Sequence, residues 1–154
     1  MDYSKEFKRM MQTQTAIALA TAADGVSNVR IVNFYYDAET KTLYFSTFRD
    51  NQKVAEFEKN THVAFTTIPT NGEEHVRVKN GIVKKSSVSI EAIKDKFLTK
   101  MPEYIMSIPD VLPALILFEV TFDEADVVID FEHMKTIAAV SYTHLRAHET
   151  REDL

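Results

Sequence analysis

The sequence predicts a mainly β domain with some α structure: an antiparallel β-barrel of six to seven strands with peripheral helices. Three observations predict it. Short segments alternate apolar and polar residues, the pairs Asp24-Gly25 and Asn71-Gly72 mark turns between them, and strands with short connections cannot readily pair in parallel.

Taken in order, residues 3–14 read as an amphipathic helix because Phe7, Met10 and Met11 share one face. Residues 15–23 are small and β-compatible and run into Asp24-Gly25. Residues 26–37 read as one long strand in which Val32, Phe34 and Tyr36 alternate, with Arg30 on their face. A polar turn over 37–41 leads to a strand over 42–48, with Leu43, Phe45 and Thr47 on one side. Asp50 or Asn51 can cap the next helix, whose period is set by Val54, Phe57 and Glu58. Residues 62–68 form a strand ended by Pro69, and Asn71-Gly72 gives a second hairpin turn. Residues 75–85 form another strand, in which Asn80-Gly81 suggests a bulge. Ser89 can cap a helix through Lys100 with Ile90, Ile93, Phe97 and Met101 inward. Pro102, Pro109 and Pro113 punctuate an irregular stretch, and 115–122 with 125–131 read as a closing hairpin.

Composition narrows the function classes. The chain has 154 residues, 45% hydrophobic and 27% charged, which suits one globular domain. A net charge of −5 argues against non-specific nucleic-acid binding, which needs a basic face, and leaves room for a local basic pocket that takes one phosphate. No apolar run is long enough to span a bilayer, and the polar N-terminus lacks the apolar core of a signal peptide. With no cysteine there are no disulfides, thiolate metal sites or cysteine nucleophiles, which fits a cytoplasmic location. His62, His75 and His133 lack metal-ligand spacing, so no metal site is expected. Residues 141–154 have no periodic apolar face and resemble translated sequencing-adapter DNA. They are read as a non-native tail behind a domain of residues 1–140.

Three segments meet one chemical need, the holding of a phosphate beside a flat ring. They are Arg30-Ile31-Val32-Asn33, Tyr44-Phe45-Ser46-Thr47 and Asp50-Asn51-Gln52-Lys53. Arg30 offers a planar fork for phosphate oxygens and Lys53 a point charge. Thr47 and Asn51 offer neutral hydrogen bonds, and a helix starting at 50–53 presents free N–H groups. Taken singly, Arg30 and Lys53 read better as solvated charges, and most of the strand aromatics read as core.

These segments resemble the pyridoxamine 5′-phosphate oxidase-like family. That family places an Arg on one strand, a Tyr/Ser-Thr pair on the next, and a Ser-x-Lys element at the following helix. Here Lys53 follows Thr47 at the family's spacing, with Asn51 where Ser is frequent and Gln52 where many members have Arg. Asn60-Thr61-His62-Val63-Ala64 resembles the family's Asn-Pro-x-Val-Ala. The run from His75 to Gly81 resembles its Gln-Val-Arg-Val-x-Gly with one extra residue.

The resemblance implies a split β-barrel that forms a homodimer, with FMN bound at the subunit interface and a small molecule as substrate. Arg30, Thr47, Asn51 and Lys53, with Gln52 beside them, would hold the phosphate. Ile31, Val32, Asn33 and Ser46 would line the isoalloxazine ring. His75 or Arg77 would reach the cofactor, and the extra residue leaves that choice open because one step of register changes the face. The implied activity is an FMN-dependent oxidoreductase passing electrons from a reduced nicotinamide to a small organic acceptor or oxygen. A non-catalytic flavin- or haem-binding module, or a stress-response module, is the alternative. The C-terminal Trp-x-x-x-Arg-Leu-x-Pro of true pyridoxamine phosphate oxidases is missing, since the chain has no tryptophan, so vitamin B6 oxidation is not expected.

Overall fold

Phe7, Met10 and Met11 recur at helical spacing. In the computed structural model, which describes residues 1–139, they are the buried stripe of helix α1 (Tyr3–Thr13). Asp2 caps it by accepting a hydrogen bond from the Lys5 amide at 3.1 Å. Strands β1 (Ala16–Ala23) and β2 (Val26–Asn33) follow as a hairpin. Its two turn residues, Asp24 and Gly25, have φ of 55° and 77°, the pair of positive angles that matches the twist of the strands.

The stretch expected as one strand over 26–37 is two. β2 pairs with β1, whereas β3 (Tyr35–Asp37) pairs with β4 (Thr42–Phe48). The chain changes partners at Phe34, whose side chain is fully buried. The strand order is β2-β1-β5-β6-β7-β4-β3, where β5 is His62–Thr67, β6 is His75–Lys85 and β7 is Leu115–Phe122. The two ends of this path are joined through one residue, so the sheet must curl to bring its edges together. Phe34 is the seam of that barrel.

A lysine pins the seam. Lys100, at the end of helix α3 (Ile90–Lys100), donates from Nζ to the carbonyls of Phe34 at 3.0 Å and Met11 at 3.2 Å. The same ammonium lies 3.7 Å above the Phe34 ring. Burial pushes Lys100 down to about 7, while the two carbonyls and the ring face favour its charge.

β6 changes neighbour as well. His75–Arg77 pair with β8 (Glu124–Val128), and Gly81–Lys85 pair with β7. The switch falls at the expected bulge, where Lys79 and Asn80 lie opposite Ala64 alone. Space is tight next: a Cβ on Gly81 would meet the Val120 side chain at 3.0 Å and Val63 at 3.2 Å, so these neighbours would have to shift by a few tenths of an ångström.

Three further expectations need correction. The strands over 115–122 and 125–131 do not form a closing hairpin, because β7 pairs with β4 and β6 whereas β8 pairs with β6. Asn71-Gly72 is not a two-residue hairpin, because β5 ends at Thr67 and β6 begins at His75, and only Gly72 takes a positive φ. Pro69, which has no amide to give the ladder, lies in that longer loop. The described residues contain nine strands rather than six or seven. The break at Phe34 adds one, and β9 (Met134–Ala138) adds another by turning back at Asp130–His133 to pair with β8.

Leu19, Val32, Phe34, Phe45, Phe65, Val78 and Phe122 fill the barrel. A second core lies outside it, where α3 and the 3₁₀ segments Ile105–Ser107 and Pro109–Ala114 press Phe97 and Met106 onto Tyr44, Leu115 and Leu117. Among the described residues nothing covers the matching outward face of β2, β1 and β5. There Val29 and Ile31 stand 64% and 68% exposed beside small residues, including Ala18, Ala20 and Ala64. The tail over 141–154 lies outside the described residues. Among the described residues no helix is long and apolar enough to cross a membrane.

Candidate functional site

The site lies where β4 hands over to helix α2 (Gln52–Lys59). Thr47 is buried near the end of β4. Asn51, rather than Asp50, is the N-cap: its Oδ1 accepts from the Lys53 amide at 3.0 Å, and its φ and ψ are extended. Gln52 is exposed on the first turn. Lys53 is only 6% exposed as a residue, and its ammonium, which keeps some contact with solvent, has no hydrogen-bond or ion-pair partner among the described residues. Burial lowers its pKa first and nearby Arg30 lowers it further, with Glu56 opposing both. An uncompensated cation in such a place is costly unless an anion joins it.

Arg30 reaches this corner from β2, inward beside Leu19. Its guanidinium is already engaged. It donates to the Thr21 hydroxyl at 2.9 Å and to both carboxylate oxygens of Glu56 at 3.3 and 3.2 Å. Glu56 also accepts from the Thr21 hydroxyl and, at 3.3 Å, from the Asn28 amide. These donors, Thr21 foremost, hold its carboxyl below the ordinary glutamate value although burial pulls the other way. Reasoning from sequence missed Glu56 and Thr21. The readable signal was spacing: Lys53 and Glu56 are i and i+3 on one helix face.

The remaining candidates lie elsewhere. Val32 points inward and is buried, whereas Ile31 points outward. The Asn33 side chain is occupied, donating to the Thr15 carbonyl at 3.0 Å. The Ser46 hydroxyl is 2.8 Å from the Tyr104 hydroxyl, on the side covered by the second core. His75 and Arg77 both lie on the outward face, since Val76 and Val78 between and beyond them are buried. Arg77 continues a row running Ile31, Ala18, Thr66, Arg77, Asp126, Thr136 across six strands. Its guanidinium turns along that row to Asp126 at 3.4 Å, and the His75 ring is 2.7 Å from the Glu73 carbonyl. The structure thus gathers Arg30, Asn51 and Lys53 at one corner and sets His75 and Arg77 apart on the outer face.

Residues 10–134 match the sequence profile described as pyridoxamine 5′-phosphate oxidase-like. The chain belongs to that family. No curated protein matches its sequence. Among solved structures, general stress protein 26 from Bacillus anthracis superimposes with a TM-score of 0.68 at 16% identity, covering 90% of this chain and 99% of that one. HutZ, the haem storage protein of Vibrio cholerae, gives 0.65 at 16% identity over 82% and 95%. A NimC/NimA family protein from Clostridium acetobutylicum gives 0.61 at 15% identity over 87% and 90%. At these identities the likeness concerns the fold, the split barrel of the pyridoxamine 5′-phosphate oxidase-like proteins. Within that fold the corner offers two cations and one carboxylate, a net single positive charge that attracts an anion.

Proposed function

We propose that the chain is an FMN-dependent oxidoreductase that passes electrons from a reduced nicotinamide to a small organic acceptor or oxygen. The observation that carries this reading is Lys53, a largely buried lysine at the start of a capped helix whose ammonium has no acceptor among the described residues. A phosphate there would gain that charge, the first-turn amides of α2 and, once freed, the fork of Arg30. When bound, FMN supplies the hydride and electron chemistry. The chain's own residues do the holding: Lys53 and Arg30 neutralise the phosphate, and Asn51 keeps the helix start in place.

We further propose that a second copy of the chain covers the outward face of β2, β1 and β5. Two exposed apolar side chains, Val29 and Ile31, stand there on an edge strand. Ile31→Asp is expected to leave the thermal midpoint close to the parent's and to convert a dimer to a monomer in sedimentation. A parent that sediments as a monomer at all concentrations overturns this part.

The cofactor is tested by the absorption spectrum of the purified chain and by chromatography after heat release. Flavin bands with released FMN support the reading, and a colourless protein that takes up no added FMN overturns it. Arg30→Ala and Lys53→Ala are each expected to weaken FMN by about 1.5–3 kcal/mol, the range for hydrogen bonds to charged groups. Oxidation of NADH or NADPH by the loaded protein separates an enzyme from a carrier. A second reading, a haem- or flavin-binding module without turnover, draws support from the structural likeness to the haem storage protein HutZ. A haem spectrum after reconstitution, with no uptake of FMN, would select it.

A further inference from the structure

The two cations of the corner are not equally available. Lys53 has no acceptor, whereas Arg30 is bound on its carboxylate-facing side by Glu56 at 3.2 and 3.3 Å. We propose that Glu56 is a built-in competitor for the phosphate: its carboxylate occupies the anion position of Arg30, and a phosphate monoester binds fully only when Glu56 leaves. This inference rests on the phosphate reading of the site given above.

Charge makes the competition unavoidable. Arg30, Lys53 and Glu56 sum to a single positive charge, whereas a phosphate monoester carries about −1.5 to −2 at neutral pH. With Glu56 in place, the bound corner would hold excess negative charge among partly buried groups, the Glu56 side chain being 12% exposed. Without it, two cations meet a dianion. Protonation does not offer the way out near neutrality, because Thr21, Arg30 and Asn28 keep the carboxyl below its ordinary value. Displacement does.

The structure provides a place to go. Glu56 lines an open cavity of about 320 Å³ between α2 and the β1–β2 hairpin, with Asp24, Val26, Asn28, Gln52 and Lys59 around it. Lys59 lies one helical turn on from Glu56 and pairs with Asp24 at 2.9 Å. It can receive the displaced carboxylate. The charged groups around Glu56 are therefore Arg30 from β2, Lys53 and Lys59 from its own helix, and Asp24 from the hairpin turn.

Glu56→Gln keeps the size and the acceptor oxygen of the side chain and removes its charge. FMN and riboflavin, which lacks the phosphate, are titrated into the parent and the variant by flavin fluorescence. Inorganic phosphate is tested by its shift of the thermal midpoint. We expect Glu56→Gln to bind FMN about 10- to 100-fold more tightly, the scale of one hydrogen bond to a charged group. Riboflavin affinity should stay the same, and phosphate should protect the variant at lower concentration. Glu56→Ala, with the parent's far-ultraviolet spectrum as a folding control, should give the same direction. FMN affinity in Glu56→Gln equal to or weaker than in the parent overturns the competitor role alone, provided Lys53→Ala still loses FMN. Binding of FMN by neither protein overturns both the competitor role and the phosphate reading beneath it.

Discussion

Two lysines among the described residues are drawn out of water, Lys100 half-buried at the barrel seam and Lys53 buried at the α2 corner, and they are treated in opposite ways. Lys100 has two carbonyl acceptors and an aromatic face, all within 3.7 Å. Lys53 has no acceptor at all among the described residues and is further disfavoured by Arg30. Burial lowers both pKa values, so the cost of desolvation is common to the two, and the difference lies in what offsets it. At the seam the offset comes from the fold itself, because Lys100 satisfies carbonyls that lie where the chain changes ladders at Phe34. At the corner the described chain offers only the opposing charge of Glu56, with no hydrogen bond to the ammonium. A buried cation that its own backbone satisfies belongs to the architecture. One left unsatisfied marks a place where the fold keeps charge for something else.

The largest expected effect is therefore at the seam. Lys100→Met keeps the length and removes the donor, leaving the carbonyls of Phe34 and Met11 unpaired. Each stranded buried acceptor costs about 1–3 kcal/mol, so urea unfolding should show a loss of roughly that size or more. A variant as stable as the parent would end the distinction between the two lysines.

The pH dependence sharpens the same point. Lys100 is pushed to about 7 in the folded chain, against an ordinary lysine value near 10.4 when unfolded. Between those values the unfolded chain binds the extra proton, so stability should rise with pH from about 7 towards 10. The slope should vanish in Lys100→Met. A flat profile in the parent would mean that the carbonyls and the Phe34 ring offset the burial in full.

Lys53→Met should act in the other direction and more weakly. Removing a buried charge without a partner relieves a desolvation cost, and a gain of about 1 kcal/mol in urea unfolding is expected, together with loss of phosphate protection. A destabilised variant that still binds phosphate would make Lys53 a second structural lysine.

How far the sequence discloses these regions follows from the range of the interactions. Local chemistry is legible: Asp24-Gly25 specifies its turn through two positive φ values, and Asn51 and Ser89 announce helix starts that their side chains then cap. Arg30, Asn51 and Lys53 stand out in the sequence by residue type and spacing, and the fold brings these three to one corner. Partner choice was not legible. Residues 26–37 alternate without a break, so nothing local says that Asn33 ends one ladder and Tyr35 begins another. Lys100 reads as an ordinary basic residue at a helix end, because its acceptors lie in segments 66 and 89 residues away. Glu56 reads as one acid among several on α2, and only the fold turns it towards Arg30. The register of β6 likewise had to be observed before Arg77 could be placed on the outer face, tied to Asp126.

The smallest effect completes the grading. Arg9 is as well satisfied as Lys100: it pairs with Glu74 through two nitrogens at 3.0 and 2.8 Å and with Glu6 at 2.6 Å. It differs in one respect, being 44% exposed on its side chain. Water competes for all of its hydrogen bonds and screens its charges, so forming the pairs gains little over leaving them solvated. Arg9→Ala should cost no more than about 1 kcal/mol, and the difference from the parent should shrink as salt is raised. If Arg9→Ala proved as costly as Lys100→Met, the number of hydrogen bonds would govern the worth of a cation here. The argument from Lys53 needs burial to govern it instead, so a small, salt-sensitive effect at Arg9 is what the phosphate reading of the corner requires.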